Sequence, residues 1–442
     1  MSHALDTDLY ELNMAASYLR HGMNERATFS LFCRSLPVDR GFLVAAGLED
    51  CLSFLEVFSF DATDLDYLGT VGFSEEVLEA FRAMRFTGEV WAVPEGTVVF
   101  PNEPLLEITA PLAQAQLVET FLLNQCTFQT ALATKAARCR LGAADRIDLV
   151  DFSLRRTQGI EAGFAMARLS AICGFVGTSN VEAARQLGLH PSGTMAHSYI
   201  EAFENEYQAF VTFAEDLPDR AVFLVDTYDS LTGVHHAIEA IISLGLEERS
   251  GVRLDSGDLA ELARQSRQML DEAGLFRTEI LVSGGLDEHD LARFVAESVP
   301  IDAAGVGTRM GVSADAPYVD SVYKLVEYAG RSVMKLSAGK ATLPGPKQVF
   351  RDARMRDVIA CRNEATPRGS SPLLERVMVD GERTQPPATI AALKARLDAQ
   401  LQSLPTEALE LSSPTAPVPE LSAALRALDE QVRHSAHMRG PA

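Results

Sequence analysis

The chain has 442 residues, 47% of them hydrophobic and 23% charged; that is ordinary for a globular protein and long for a single core, so two domains are expected. The formal net charge of −22 argues against a nucleic-acid partner, because nucleic-acid phosphates demand a basic surface. No apolar run approaches the roughly 18–20 residues of a membrane span, so no membrane partner is expected.

The N-terminal stretch MSHALDTDLYELNMA has no basic region followed by an apolar core, and no signal peptide is expected. Six scattered cysteines, Cys33, Cys51, Cys126, Cys139, Cys173 and Cys361, form no CxxC pair. This disfavours a zinc knuckle or a disulfide framework and fits a reduced, cytoplasmic setting. Between residues 86 and 110, the runs TGEVWAV, GTVVF and PLLEITA are separated by PEG and PNEP, which predicts short antiparallel strands with turns. Apolar residues at three- and four-residue steps then predict a long helix from Leu117 to about Ala144.

The middle of the chain changes character. The runs IDLVDFSLR, AVFLVDTYDS, GVRLDSGD, EILVSGG and IDAAGVGT are apolar and end in polar or glycine residues. Helical patterns such as HHAIEAIISLGLEE and LAELARQSRQMLDEAG lie between them. Such alternation predicts a parallel sheet, and its regular repetition favours a β/α barrel whose active site forms at the C-terminal strand ends. After residue 351 the pattern fades into a loop, ATPRGSSP, an amphipathic helix, PPATIAALKARLDAQLQSL, and a proline-rich SSPTAPVPE; the terminal HSAHMRGPA is expected to fray.

Several strand ends carry candidate chemistry. Ser283, Gly284 and Gly285, and then Gly305, Gly307 and Thr308, place small residues directly after two successive strands. Backbone N–H groups can approach an oxyanion there, and the phosphate site of such barrels commonly forms at the last strands. Arg253, Asp255 and Asp258 end another strand. A carboxylate there can accept hydrogen bonds from ribose hydroxyls and a guanidinium can face phosphate or carboxylate, while Asp255 or Ser256 could instead cap the next helix. Phe152 with Arg155 and Arg156 suits a flat, anionic aromatic ligand, although adjacent arginines are more often surface charges. His197 follows a small-residue segment, and Asp226, ending AVFLVD, is the candidate to hold its imidazole in one tautomer.

In this order, TDLYELNMA, DFSLRRTQG, GTSNVEAARQLG, GTMAHS, LVDTYDS, RLDSGDL, SGGLDE, GVGT, VYKLVE and KLSAGKATLPGPKQVFR resemble the nicotinate phosphoribosyltransferase family, and PLLERVMVDGER fits it too. The resemblance implies an α/β fold, an irregular β/α barrel beside a mixed α/β domain built from both chain ends. Residues 1–120 would form the N-terminal domain and 121–350 the barrel. Residues 351–442 would return to the N-terminal domain and end in the proline-rich tail. It also implies a homodimer with shared active sites, Tyr10 and Arg34 being lent to the partner to meet the pyridine ring and the phosphates. Phe152 would cover the other ring face, with Arg155 near the nicotinate end. Ser283, Gly284, Gly285, Gly307 and Thr308 would hold the 5-phosphate; Arg253, Asp255 and Lys324 would bind ribose hydroxyls or pyrophosphate.

The implied substrates are nicotinate and phosphoribosyl pyrophosphate with Mg2+. His197 matches the position that ATP phosphorylates in the family, which couples hydrolysis to synthesis. Nicotinamide-using relatives carry Asp where this chain has Ser179. A carboxylate ligand would be repelled by Asp and can accept a hydrogen bond from Ser, so nicotinate is expected over nicotinamide. A nicotinamide phosphoribosyltransferase and a silent relative that senses a mononucleotide are the alternatives. Intact His197, Asp226, Arg253 and Asp255 tell against the silent relative.

Overall fold

The structure, a computed structural model, describes residues 3–337 and 342–437. Residues 338–341 of KLSAGKATLPGPKQVFR, and residues 438–442 of the terminus expected to fray, lie outside that description. Where the description reaches, the terminus continues the helix Ala423–His437. The chain divides into two compact units, Met1–Thr134 with Tyr318–Ala442, and Lys135–Pro317. The sequence placed these divisions at 120 and 350. The first falls later because one uninterrupted helix, Glu119–Ala143, carries it. The second falls earlier because Ser321–Tyr328 pairs antiparallel with Arg26–Cys33, and a strand belongs with its ladder.

The unit holding both termini is built on a seven-stranded antiparallel sheet. Arg26–Cys33 and Pro104–Pro111 pair at its centre, and Glu89–Ala92 adds to Pro104–Pro111. The predicted strands between residues 86 and 110 occur as Glu89–Ala92, Val98–Val99 and Pro104–Pro111. Seven of the eight residues of Arg26–Cys33 are buried, so this strand threads the core with no solvent face. Its interior also contains charge: Lys347 Nζ lies 3.0 Å from Glu107 Oε1, and both side chains are buried. Such a pair is tolerated because each ion offsets the other's desolvation.

The second unit alternates strand and helix. Its six parallel strands run in the order Gly177–Thr178, Asp148–Asp151, Ala303–Val306, Glu279–Val282, Gly251–Leu254 and Val222–Leu224. Five are the apolar runs expected from the sequence; two-residue Gly177–Thr178 is too short to show a period. The intervening helices include Ile160–Ile172, Ser230–Leu244, Leu259–Glu272 and Glu288–Ala296. The sheet curls as an irregular, partly closed barrel. In the same unit a buried cluster joins Glu288, at the start of its helix, to Lys135 Nζ at 2.5 Å and Arg138 Nε at 2.9 Å, and Lys135 also meets Asp315 at 2.7 Å.

Candidate active site

The C-terminal strand ends of the barrel unit open into a cavity of about 330 Å³ whose walls include Phe152, Arg155, Ser179, His197, Arg253 and Asp255. That volume is in the range of small-molecule sites. Six nominated residues, from four segments of chain, therefore line one cavity.

Arg253 and Asp255 leave the strand Gly251–Leu254 and meet Ser283, which follows Glu279–Val282. The parallel register Leu254↔Val282 brings these two strand ends level. Arg253 Nε donates to Ser283 Oγ at 2.9 Å and Arg253 Nη2 to Asp255 Oδ1 at 2.8 Å, while Ser283 Oγ also donates to Asp255 Oδ1. Arg253 Nη1 reaches Thr194 Oγ1 and the Met195 carbonyl at 3.3 Å each. Its guanidinium carbon lies 5.4 Å from the centre of the Phe152 ring, within cation–π range. Burial alone would raise the Asp255 carboxyl, but hydrogen bonds from Ser283 and Arg253, with the Arg253 charge, hold it below its ordinary value. Asp255 does not cap the following helix. That cap is Asp258, whose carboxylate accepts from the Glu261 N–H at 3.3 Å.

The glycine-rich ends have distinct uses. Gly284 has φ +108, and a Cβ there would lie 2.0 Å from the Asp255 carbonyl oxygen, so glycine is obligatory where the two loops cross. Gly285 also has a positive φ and open space around it. A Cβ on Gly305 would lie 2.3 Å from the Phe152 ring; this glycine seats the aromatic ring instead of facing an anion. Gly307 precedes the short helix Thr308–Gly311. Arg309 Nη1 donates to Asp287 Oδ2 at 2.7 Å, a link between the two glycine-bearing loops that sequence spacing alone did not reveal. Arg155 is exposed, with no hydrogen bond or ion pair to any described residue.

One expected contact differs. His197 Nδ1 lies 3.1 Å from Thr227 Oγ1, so Thr227, and not Asp226, holds the imidazole. Asp226 Oδ2 instead accepts from the Asp255 N–H at 3.0 Å and from Ser256 Oγ at 2.6 Å. Successive side chains leaving a strand diverge, which is why neighbours one position apart serve different loops. Asp226 Oδ1 is buried without a hydrogen-bond partner among the described residues.

Tyr10, Arg34 and Lys324 belong to the other unit. Tyr10 is 47% exposed on the helix Leu9–Arg20. Burial, then the charges of Glu119 and Glu11, push its phenol well up. Lys324 Nζ donates to the Tyr323 carbonyl at 2.8 Å and lies 3.8 Å from Glu119 Oε1. Arg34 lies 3.7 Å from Asp320, and its Nε is buried without a hydrogen-bond partner among the described residues.

Comparison with known proteins follows the same lines. Residues 5–126 match the model of the nicotinate phosphoribosyltransferase N-terminal domain, and residues 147–295 that of the nicotinate phosphoribosyltransferase family. A Mycobacterium tuberculosis nicotinate phosphoribosyltransferase is 47% identical over 411 residues, 91% of this chain and 88% of its own. The Bacillus subtilis nicotinate phosphoribosyltransferase is 44% identical over 360 residues, 79% of this chain and 73% of its own. The crystal structure of human nicotinic acid phosphoribosyltransferase superposes with a TM-score of 0.86 at 30% identity, covering 96% of this chain and 99% of that one.

Proposed function

Because the chain belongs to the nicotinate phosphoribosyltransferase family, we propose that it transfers ribose 5-phosphate from phosphoribosyl pyrophosphate to nicotinate, giving nicotinate mononucleotide and pyrophosphate in NAD salvage. The observation that carries the reading is the shared cavity, in which Phe152, Arg155 and Ser179 share a wall with Arg253, Asp255 and His197. An aromatic face, a free guanidinium and a hydroxyl suit a flat pyridine carboxylate. Strand ends with Ser283, Gly284, Gly285, Gly307 and Thr308 suit the 5-phosphate.

The transfer asks little covalent chemistry of the protein. Pyrophosphate leaves ribose C1, positive charge develops on the ring, and the pyridine nitrogen attacks. The chain positions both reactants and supplies charge at the leaving group. Arg253 must exchange part of its internal hydrogen bonding for substrate oxygens. Asp255, held ionised by Arg253 and Ser283, can accept from ribose hydroxyls. Asp226 has a buried, unpartnered oxygen and lies beside Asp255, a donor set that fits Mg2+, which takes one or two carboxylates together with phosphate oxygens. These two carboxylates would hold it, and bound there it neutralises pyrophosphate charge.

His197 is the residue that ATP would phosphorylate, its Nδ1 engaged by Thr227 and its Nε2 left to react. Tyr10 and Arg34 are lent across a homodimer, which would add the second ring face and a phosphate contact; Lys324 also serves the ribose or pyrophosphate. Among the described residues no helix is long and apolar enough to cross a membrane, and the setting we propose is cytoplasmic. The test supplies phosphoribosyl pyrophosphate and magnesium with nicotinate or nicotinamide, each with and without ATP. Nicotinate mononucleotide formed faster with ATP, with ADP released, is the expected result. Product from nicotinamide alone would overturn the Ser179 argument, and tight binding without product would make the chain a sensor.

A further inference from the structure

Asp151 is the last residue of the strand Asp148–Asp151 and is fully buried. It makes no ion pair with any described residue. An unpaired buried carboxylate is costly, so what it contacts is informative. Its Oδ1 accepts from the Ser153 N–H at 2.9 Å and from Ser153 Oγ at 2.5 Å. Its Oδ2 accepts from Thr178 Oγ1 at 2.7 Å. Its carbonyl oxygen accepts from the Ser179 N–H at 2.8 Å. Thr178 Oγ1 in turn accepts from the Asn180 N–H at 3.0 Å, and Asn180 Oδ1 caps the helix Val181–Leu187 through the Ala183 N–H.

These bonds tie together two turns that the chain separates. One carries Phe152 and Arg155, the other Ser179, and all three line the cavity. Ser153 and Thr178 are themselves fully buried, so the network lies behind the cavity wall, out of reach of substrate. We propose that Asp151 is the positioning residue of the base pocket, holding the aromatic and guanidinium wall in register with the hydroxyl wall that selects the pyridine substituent. This rests on the reading of Phe152, Arg155 and Ser179 as the base site.

The chemistry requires a carboxylate. Two oxygens that only accept are needed for three donors. Asn would turn an N–H2 toward Thr178 Oγ1 and leave the threonine O–H without the acceptor it now has in Asp151 Oδ2. Fully satisfied buried networks of this kind specify a single geometry, and a pocket wall displaced by about 1 Å can cost on the order of a hundredfold in turnover efficiency.

The experiment is steady-state kinetics of the full chain with Asp151→Asn, Thr178→Val and Thr178→Ser, with thermal melting of each. Asp151→Asn and Thr178→Val should raise KM for nicotinate by about tenfold or more, leave KM for phosphoribosyl pyrophosphate within about twofold, and weaken discrimination against nicotinamide. Thr178→Ser keeps the hydroxyl and should restore wild-type values. Both KM values rising together, an unchanged nicotinate KM, or Thr178→Ser behaving like Thr178→Val would each overturn the proposal, because a merely structural role predicts no split between substrates. If Asp151→Asn fails to fold, the Thr178 pair decides alone. If the wild type uses only nicotinamide, the functional reading fails at the base, and the same split measured with nicotinamide still decides the role of Asp151.

Discussion

Thr227→Val tests the mechanism at one atom. Valine keeps the shape of threonine and removes the hydroxyl that lies 3.1 Å from His197 Nδ1. A neutral hydrogen bond of this kind contributes about 0.5–1.5 kcal/mol, which corresponds to about a two- to tenfold change in rate. The imidazole would lose the Nδ1 contact that orients its ring. The assay is single-turnover transfer of labelled phosphate from ATP to an acid-labile protein phosphate, beside ATP-independent formation of nicotinate mononucleotide. Phosphorylation should slow by about two- to tenfold while ATP-independent synthesis is unchanged. Asp226→Asn should act differently, because Asp226 Oδ2 anchors Asp255 and Ser256; it should weaken phosphoribosyl pyrophosphate binding. Wild-type phosphorylation in Thr227→Val, with phosphorylation lost in Asp226→Asn at unchanged substrate binding, would refute the assignment. No phosphate on wild-type His197 would sink the ATP-coupling reading itself.

Three further outcomes follow from the geometry. Ser179→Asp should shift preference from nicotinate toward nicotinamide by placing a charge in the cavity wall; an unchanged ratio of kcat/KM values would defeat the charge argument. Glu288→Gln should destabilise the chain by about 3–5 kcal/mol, since it removes the buried carboxylate shared by Lys135 and Arg138; denaturant unfolding that shows a loss below about 1 kcal/mol would contradict it. The Asp255 carboxyl is held below its ordinary value in the folded chain. Its contribution to stability is therefore fully present above the unfolded value of about 3.9 and is lost as pH falls through the lower folded value. The stability gap between wild type and Asp255→Asn should be constant near neutrality and close only below about pH 4. A gap that widens on acidification would show the sign to be wrong.

Local patterns in the chain are enough to announce a parallel α/β unit. The runs IDLVDFSLR, GVRLDSGD and EILVSGG are apolar because strands covered on both faces must be, and each turns polar where the strand meets solvent at the site. A reader of the sequence can therefore nominate Phe152, Arg253, Asp255 and Ser283 as strand-end residues. Gly177–Thr178 was beyond reach, since two residues carry no period. The division of the chain near residue 318 is equally illegible locally: the ladder that claims Ser321–Tyr328 is made with Arg26–Cys33, a partner remote in the chain.

Which strand-end residue touches which was settled only by packing. Thr227 and Asp226 are neighbours in sequence, and the direction each side chain takes on leaving its strand decides that one meets His197 and the other anchors Asp255. Gly305 is one more small residue in GVGT until the Phe152 ring is seen against it. Asp151, an unremarked strand terminus in the sequence, becomes the bridge between Ser153 and Thr178 because the parallel pairing of Asp151 with Thr178 sets two strand ends side by side. Amphipathic period and strand-end polarity are local properties that the sequence alone determined. Register and side-chain direction depend on residues far apart in the chain, and only the tertiary structure decided them.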